Sequence, residues 1–276
     1  MLAQFIRLHS ALYLFLLSQI VSPAWADVSN DLVLCQGKSD DAAIRACTAL
    51  INTPGVATSD LAAAYGARSF YYEHTDQYEK ALADTNEAIR LDPSIAFFYD
   101  NRSNAERMLG NVEAAFADAN EALKHDPTDL PAHLNRGLGF YNKKAYDSAI
   151  DDFSEFIASN ADDAEAFTFR GMSYWAESRP ILALADFNTA IKINTDGARP
   201  YNYRGGLYID LKEFNLAIKG FSQTLAVFPD NATALYGRGI AKIALNDTAS
   251  GQQDIDRAVK LDPDIKSEFD RRTGKR

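Results

Sequence analysis

The chain has 276 residues, of which 47% are hydrophobic and 24% are charged, and its formal net charge is −10. This composition is typical of a folded protein and excludes an intrinsically disordered chain, which has fewer apolar residues. The acidic balance argues against nucleic acid or an anionic membrane surface as the main partner.

The first 26 residues have the pattern of a secretory signal peptide. Arg7 precedes an apolar run over residues 11–21, and the small-residue sequence Ala-Trp-Ala occupies residues 24–26. The run is shorter than the roughly 20 residues that a transmembrane helix needs, so an uncleaved membrane anchor is the less favoured alternative. We therefore expect cleavage before Asp27 and export of the mature chain. The favoured destination is the periplasm of a Gram-negative bacterium, and secretion is the alternative.

Only two cysteines are present, Cys35 and Cys47. Because an exported chain meets oxidising conditions, we expect them to form a disulfide, and two buried free thiols are the alternative. Residues 40–51 around Cys47 have helical periodicity, with apolar side chains on one stripe. We interpret residues 27–61 as a half-repeat, pinned by the disulfide, that caps the apolar end of the array that follows.

From residue 62 onwards the chain repeats itself every 34 residues. An arginine followed by glycine or serine recurs six times at this spacing, and Arg170 and Gly171 form the fourth copy. A period of this length predicts a solenoid, in which each unit buries its apolar face against its neighbours. The six units are residues 62–95, 96–129, 130–163, 164–197, 198–231 and 232–265.

Each unit is predicted to contain two helices of roughly 12–14 residues joined by short turns. Most units end in Asp-Pro, which stops the second helix. The sixth unit has Lys242 and Gly251 at the positions where the repeat pattern has tyrosine and alanine, so we expect it to pack loosely. The polar residues 266–276 are expected to form a solvated helical turn and tail.

The spacing of small and aromatic residues gives the units a close resemblance to the tetratricopeptide repeat. In the fourth unit the family pattern is carried by Gly171, Tyr174, Ala183 and Ala190, at positions eight, eleven, twenty and twenty-seven. The resemblance implies an all-α fold, a right-handed α-solenoid of six 34-residue helix-turn-helix tetratricopeptide repeats behind the N-terminal cap. It also implies a protein that binds partners.

Two charged columns run through the repeats. The seventh position, leucine in the family, is arginine in all six units, and the twenty-third position is aspartate in five units and Gly220 in the other. We interpret the columns as Arg–Asp pairs that hold the repeats in register, and a ladder of arginines for anionic ligands is the alternative. The columns consist of Arg68, Arg102, Arg136, Arg170, Arg204, Arg238, Asp84, Asp118, Asp152, Asp186 and Asp254.

The sequence contains no catalytic motif that we recognise. Residues 37–39, Gly-Lys-Ser, match the end of a phosphate-binding loop, but its first glycine is missing and no strand precedes it. His74, His125 and His133 do not have the spacing of a metal site. We therefore predict that the chain is not an enzyme and uses no catalytic residue, metal or cofactor.

The resemblance also implies a concave groove formed by the first helices of the repeats. Amide side chains there can hydrogen-bond a peptide backbone, and exposed aromatic side chains are typical interface anchors. The positions carried over from the family are Asn101, Asn104, Arg107, Asn135, Tyr141, Asn142, Met172, Trp175, Arg199, Asn202, Tyr203 and Tyr236.

We predict from this a scaffold or adaptor that binds a protein or peptide segment of unknown identity in the groove. Two alternatives remain open, namely a structural protein that assembles with itself through its end surfaces, and a receptor for a glycan or another small ligand. Nucleic acid binding and stable membrane insertion after signal cleavage are not expected.

Overall fold

The computed structural model describes Cys35 and residues 39–272, and every regular element in this part of the chain is an α-helix. The all-α prediction is therefore confirmed. The predicted signal peptide and the last four residues of the tail lie outside the described residues. Helix α1 (Asp40–Ile51) lies within residues 27–61, the predicted half-repeat.

Six helix pairs follow α1. Five fall inside the predicted 34-residue repeats, and the first pair begins at Thr58, before the predicted start of its repeat at residue 62. Within each repeat, a turn of a few residues separates the two helices, as the repeat pattern predicts. The pairs are α2 (Thr58–His74) with α3 (Tyr78–Leu91), α4 (Ala96–Met108) with α5 (Val112–His125), α6 (Leu130–Asn142) with α7 (Tyr146–Ser159), α8 (Ala164–Ala176) with α9 (Pro180–Ile193), α10 (Ala198–Asp210) with α11 (Phe214–Val227), and α12 (Ala232–Ala244) with α13 (Thr248–Leu261); α14 (Ile265–Arg272) ends the described part of the chain.

The described part of the chain divides into two compact units, of which the first ends at Gly139 and the second begins at Phe140. In the first unit, α1 packs on α2, consecutive helices up to α5 pack on one another, and α2 also contacts α4. In the second unit, consecutive helices from α7 to α14 pack in the same way, and α8, α10, α12 and α14 form a row of neighbouring contacts. Within each unit the first helices of the repeats therefore share one face, where the predicted groove residues lie.

Glycines and phenylalanines interlock between the repeats of the second unit. Phe221 is fully buried between Gly205 and Gly237. A Cβ atom would lie 2.7 Å from the Phe221 ring if built on Gly205, and 2.3 Å from it if built on Gly237. Because protein interiors are close-packed, these glycines set how closely the helices approach.

The sixth repeat is tightly packed, contrary to our expectation. A Cβ atom built on Gly239 would lie 2.7 Å from the carbonyl oxygen of Gly251, and one on Gly251 would lie 2.7 Å from that of Gly239. The backbones of α12 and α13 therefore touch where other repeats have an alanine. Lys242 fills the tyrosine position by donating hydrogen bonds to Ser250 at 2.8 Å and to Asp254 at 2.7 Å.

The arginine and aspartate columns meet as bidentate ion pairs inside a repeat. Arg170 donates from Nε and Nη2 to the two carboxylate oxygens of Asp186, at 2.8 Å each. Its Nη1 donates to Ser154 Oγ at 3.2 Å, on the second helix of the preceding repeat. One guanidinium therefore joins three helices. The same pairing is present in Arg68–Asp84, Arg102–Asp118, Arg170–Asp186 and Arg238–Asp254.

The N-terminal cap joins this arrangement. Arg68 Nη1 donates to Thr48 Oγ1 of α1 at 2.9 Å, so α1 takes the place of a preceding second helix. The predicted disulfide between Cys35 and Cys47 is present, and both cysteines are fully buried beside Ala67.

The C-terminal residues are more structured than the polar composition of residues 266–276 suggests. Ile265 and Phe269 of α14 are each only 1% exposed. The Phe269 ring lies 5.4 Å from that of Tyr236 and 6.4 Å from that of Phe221, measured between centroids. Two apolar residues four apart lie on the same side of a helix, so α14 covers the end of the last repeat.

We expect Gly237→Ala to lower the free energy of unfolding by about 1–3 kcal/mol, because the new methyl group collides with the Phe221 ring. Gly220→Ala is the matched control in a neighbouring helix, since its Cβ would meet nothing closer than 3.8 Å. Higher helix propensity should make this control neutral or stabilising by up to about 1 kcal/mol. Urea denaturation measures both variants, and equal effects would contradict the interlocking.

Candidate binding groove

The twelve predicted groove residues divide between the two units. Four of them, Asn101, Asn104, Arg107 and Asn135, lie in the first unit, and the others lie in the second. The two sets have different surroundings and are described separately.

A groove with a volume of about 480 Å³ opens on the row of first helices in the second unit. It combines aromatic rings, amide groups and one cationic side chain. Five predicted residues contribute to it, and α14 closes one side through Phe269. The lining residues are Tyr141, Phe169, Met172, Ala198, Arg199, Asn202, Tyr203, Asn231, Thr233 and Phe269.

One wall of the groove is aromatic and carries a positive charge. The rings of Tyr141 and Phe169 meet edge to face, with their centroids 5.8 Å apart. The Arg199 guanidinium lies 5.8 Å from the centroid of Phe169 and 3.1 Å from a carboxylate oxygen of Glu165. More than half of the Arg199 side chain is exposed, so its charge can reach a ligand. Burial raises the pKa of the Tyr141 hydroxyl, so this group is neutral well above physiological pH.

The opposite wall contains two coupled amides. Asn202 donates from Nδ2 to Asn231 Oδ1 at 3.2 Å and accepts from Thr224 Oγ1 at 3.1 Å. Asn231 Oδ1 also accepts from the Ala234 backbone N–H at 2.9 Å, as the N-cap of α12. These bonds fix both side chains. Within the described residues, the Asn231 amide nitrogen has no partner and remains available as a donor.

Three predicted residues of the second unit lie outside this groove. The Trp175 indole N–H donates to a carboxylate oxygen of Asp210 at 3.1 Å, and Trp175 packs against a buried cluster that includes Met172. Asn142 is exposed at the end of α6, and Tyr236 is 8% exposed under Phe269.

Sequence reasoning missed Phe169, Ala198, Asn231, Thr233 and Phe269. Phe169 and Thr233 occupy positions six and two of their repeats, which are groove positions in the family, so the register alone could have found them. Phe269 could have been found only by recognising α14 as a packed helix. Asn231 lies in a turn, and no position rule indicates it.

In the first unit the predicted residues form a closed polar network. Asn104 donates to Glu73 and accepts from Arg107 Nη2 at 2.7 Å. Arg107 Nε donates to Asn135 Oδ1 at 3.1 Å, and Asn135 Nδ2 lies 3.4 Å from Asp100 Oδ1. We call these five residues the carboxyl–amide network. Its two amides donate to the two carboxyl groups and accept from Arg107, so this face is internally hydrogen-bonded.

Asn101 lies beside this network and is also occupied. Its Nδ2 donates to Ser69 Oγ at 3.1 Å and to the Gly66 carbonyl oxygen at 3.3 Å. It is 3% exposed and joins α4 to α2. The side chain therefore serves the packing of the first unit.

The carboxyl groups of the network hold their protons unusually strongly. Burial raises the pKa of Glu73 to about 8, and the hydrogen bond from Asn104 and the charge of Arg107 offset this only in part. Burial, together with the charges of Asp129 and Glu73, raises the pKa of Asp100 well above its ordinary value. Burial also raises the pKa of Asp129 to about 6. One oxygen of Glu73 is buried without a hydrogen-bond partner in the described part of the chain, as suits a protonated carboxyl group.

No group of three or more histidine, cysteine, aspartate or glutamate side chains within residues 39–272 could hold a metal ion. None of the helices described above is both long enough and apolar enough to cross a membrane.

Residues 62–95 and 134–202 match sequence models described as tetratricopeptide repeat. No curated protein sequence matches the chain. The two matched segments include the first predicted repeat and the middle of the array. They support the assignment of these repeats to the tetratricopeptide repeat family.

Several solved structures share the fold. PilF of Pseudomonas aeruginosa is 17% identical, with a TM-score of 0.62 over 79% of this chain and 99% of that one. A tetratricopeptide repeat protein from Parabacteroides merdae is 17% identical, with a TM-score of 0.59 over 90% and 97%. YrrB, described as a tetratricopeptide repeat protein with an unusual peptide-binding site, is 22% identical, with a TM-score of 0.54 over 65% and 93%. The fold is therefore that of a tetratricopeptide-repeat array.

We expect the free energy of unfolding to decrease as the pH rises from about 4.5 to 8, because the unfolded chain releases the Glu73 proton at a lower pH than the folded chain. The contribution of Glu73 is present below pH 4.5, its ordinary pKa, and is lost as the pH approaches 8. It corresponds to about 1.4 kcal/mol for each pH unit. Glu73→Gln should flatten the profile measured by urea denaturation.

The control for this measurement is Glu87→Gln, which alters an exposed glutamate paired with Arg90. It should keep the slope of the unaltered protein. Equal slopes in Glu73→Gln and Glu87→Gln would contradict a strongly raised pKa for Glu73.

Proposed function

We propose that the chain is a non-catalytic scaffold that binds a peptide or protein segment in the groove of the second unit. The observation that carries this proposal is the groove itself, with a volume of about 480 Å³. That volume is within the range of about 300–1,000 Å³ that is usual for ligand pockets. The groove is open on the face shared by the first helices, so an extended segment can enter it from solvent.

The wall residues suggest how such a segment binds. Phe169 and Tyr203 offer aromatic surface for an apolar side chain, and buried aromatic contacts contribute most strongly to many interfaces. The free Asn231 amide nitrogen can donate to a backbone carbonyl oxygen of the segment. Arg199 at the rim favours an acidic residue of the partner and disfavours a basic one.

A peptide site is in keeping with the structural relatives. YrrB is described as having an unusual peptide-binding site. At 22% identity this likeness shows the fold alone, so the resemblance supports peptide binding only by analogy.

The proposal includes export. The pattern of residues 1–26 supports delivery across a membrane, with the periplasm as the compartment where the scaffold works. The disulfide between Cys35 and Cys47 supports the same location, because such bonds persist in oxidising compartments.

The test is capture of partners from the native envelope fraction by the mature chain, residues 27–276. A double variant, Arg199→Glu with Tyr203→Ala, reverses the rim charge and removes one aromatic wall. We expect the proteins captured by the unaltered chain to be reduced at least about tenfold, since loss of a hot-spot contact has effects of this size. Quantitative mass spectrometry compares the captured sets.

Ile181→Ala is the matched control, since Ile181 is 82% exposed on α9 and lies outside the groove. It should keep the same partners, and circular dichroism should show that all variants are folded at the temperature of the capture. Undiminished capture by the double variant would contradict the groove as the binding site. Light scattering that shows an oligomer of the purified chain alone would instead favour self-assembly.

A further inference from the structure

The fifth repeat departs from the Arg–Asp pattern. In Arg170–Asp186 and Arg238–Asp254, the aspartate carboxylate accepts from arginine Nε and Nη2 at 2.7–2.8 Å. In the fifth repeat Arg204 is in place, but Gly220 stands where the aspartate would be. Nε and Nη2 of Arg204 therefore lack the carboxylate that these groups bind in Arg170 and Arg238.

Arg204 keeps one of the usual contacts and loses the others. Its Nη1 donates to Asn188 Oδ1, as Arg102 Nη1 does to Asn86 three repeats earlier. Its Nη2 donates to Gln223 Oε1 at 3.2 Å, a longer bond than those to aspartate elsewhere. Its Nε is buried and has no hydrogen-bond partner among the described residues. A buried donor left unsatisfied is unfavourable, so this nitrogen needs an acceptor.

A cavity of about 230 Å³ lies at this position. A Cβ atom built on Gly220 would meet nothing closer than 3.8 Å, so a side chain could start at this position without a collision. The cavity opens to solvent because Leu216, Lys219 and Gln223 are exposed. Two of its residues are cationic and none is acidic. The lining residues are Arg204, Tyr208, Leu216, Lys219, Gly220 and Gln223.

We propose that Arg204, Lys219 and the space above Gly220 form a binding site for a carboxylate that comes from outside the chain. The carboxylate takes the place of the missing aspartate side chain and accepts hydrogen bonds from Nε and Nη2 of Arg204, while Gln223 moves aside. Its source is either an acidic residue of a partner protein or a small free carboxylate. The site is separate from the groove and does not depend on the function proposed for it.

The protein itself provides the template for this ligand. Four other repeats hold a planar carboxylate at the same place, and the two parallel N–H groups of arginine match that shape. Replacing aspartate by glycine removes a CH₂–COO⁻ group, which has the size and charge of acetate. Lys219 adds a second positive charge that the complete pairs do not need.

Acetate is therefore the probe for the site. The melting temperature of the mature chain is measured in sodium acetate and in sodium chloride of equal ionic strength, at neutral pH. We expect a saturable rise of about 3 °C when acetate exceeds its dissociation constant tenfold. Arg204→Gln should abolish the rise.

Two further variants make the result decisive. Gly220→Asp supplies the carboxylate covalently, so it should melt higher than the unaltered chain and no longer respond to acetate. Asp186→Gly creates the same vacancy beside Arg170 and should gain a response to acetate. An equal response of the unaltered chain and Gly220→Asp would overturn the proposal, since acetate would then act elsewhere. Failure of the unaltered chain to respond would overturn it as well.

A blocked tripeptide, acetyl-Ala-Asp-Ala-amide, separates the two sources. Binding at least about tenfold tighter than acetate would assign the site to an acidic residue of a partner, because the flanking backbone adds contacts. Equal or weaker binding would assign it to a small free carboxylate. Replacement of the aspartate by asparagine in the peptide should remove binding, and retained binding would contradict a carboxylate site.

Discussion

The structure depends on one repeated interaction, the guanidinium that joins three helices. In each complete case, arginine Nε and Nη2 bind an aspartate on the second helix of the same repeat. Nη1 reaches the second helix before it, which is α1 for Arg68 and α7 for Arg170. The glycine and phenylalanine contacts set the distance between helices, but apolar packing has little directional preference. The bidentate pair adds direction and so fixes which residues face each other. Because burying both charges is costly, we assign the pair a role in register more than in net stability.

The features that suit binding are found where the repeat pattern breaks. Gly220 leaves Arg204 without a carboxylate and creates a cationic cavity. The groove of the second unit depends on Asn231, which lies in a turn between repeats, and on Phe269 from α14, which continues the row of first helices beyond the sixth repeat. In the first unit, by contrast, amides at groove positions are used up by the carboxyl–amide network. Two stretches with the same repeat pattern therefore present different surfaces, one internally satisfied and one open.

Much of this fold can be predicted from the sequence, because every repeat reports the same periodicity independently. The spacing of Arg170, Gly171 and Ala183 defines the helix pairs. The repeated arginine and aspartate positions indicate that these side chains pair with each other. The site is harder to predict, since it depends on contacts between residues about one repeat apart. Nothing in the sequence shows that Asn135 contacts Arg107, 28 residues away, or that Glu73 is buried enough to retain a proton. The close contact of Gly239 with Gly251 could not be predicted from the sequence either. Gly251 and Lys242 both depart from the repeat pattern, and only the structure shows that the sixth repeat packs tightly with them.

The most direct test of the account is a double-mutant cycle on Arg170 and Asp186, which are 17% and 7% exposed. The free energy of unfolding is measured for Arg170→Ala, Asp186→Ala and the double variant. We expect each single variant to lose about 3–5 kcal/mol, because the remaining partner is left buried and unpaired. The double variant should lose much less than the sum of the two. Unchanged melting of Arg170→Ala, or strictly additive losses, would contradict the claim that this pair holds the repeats in register.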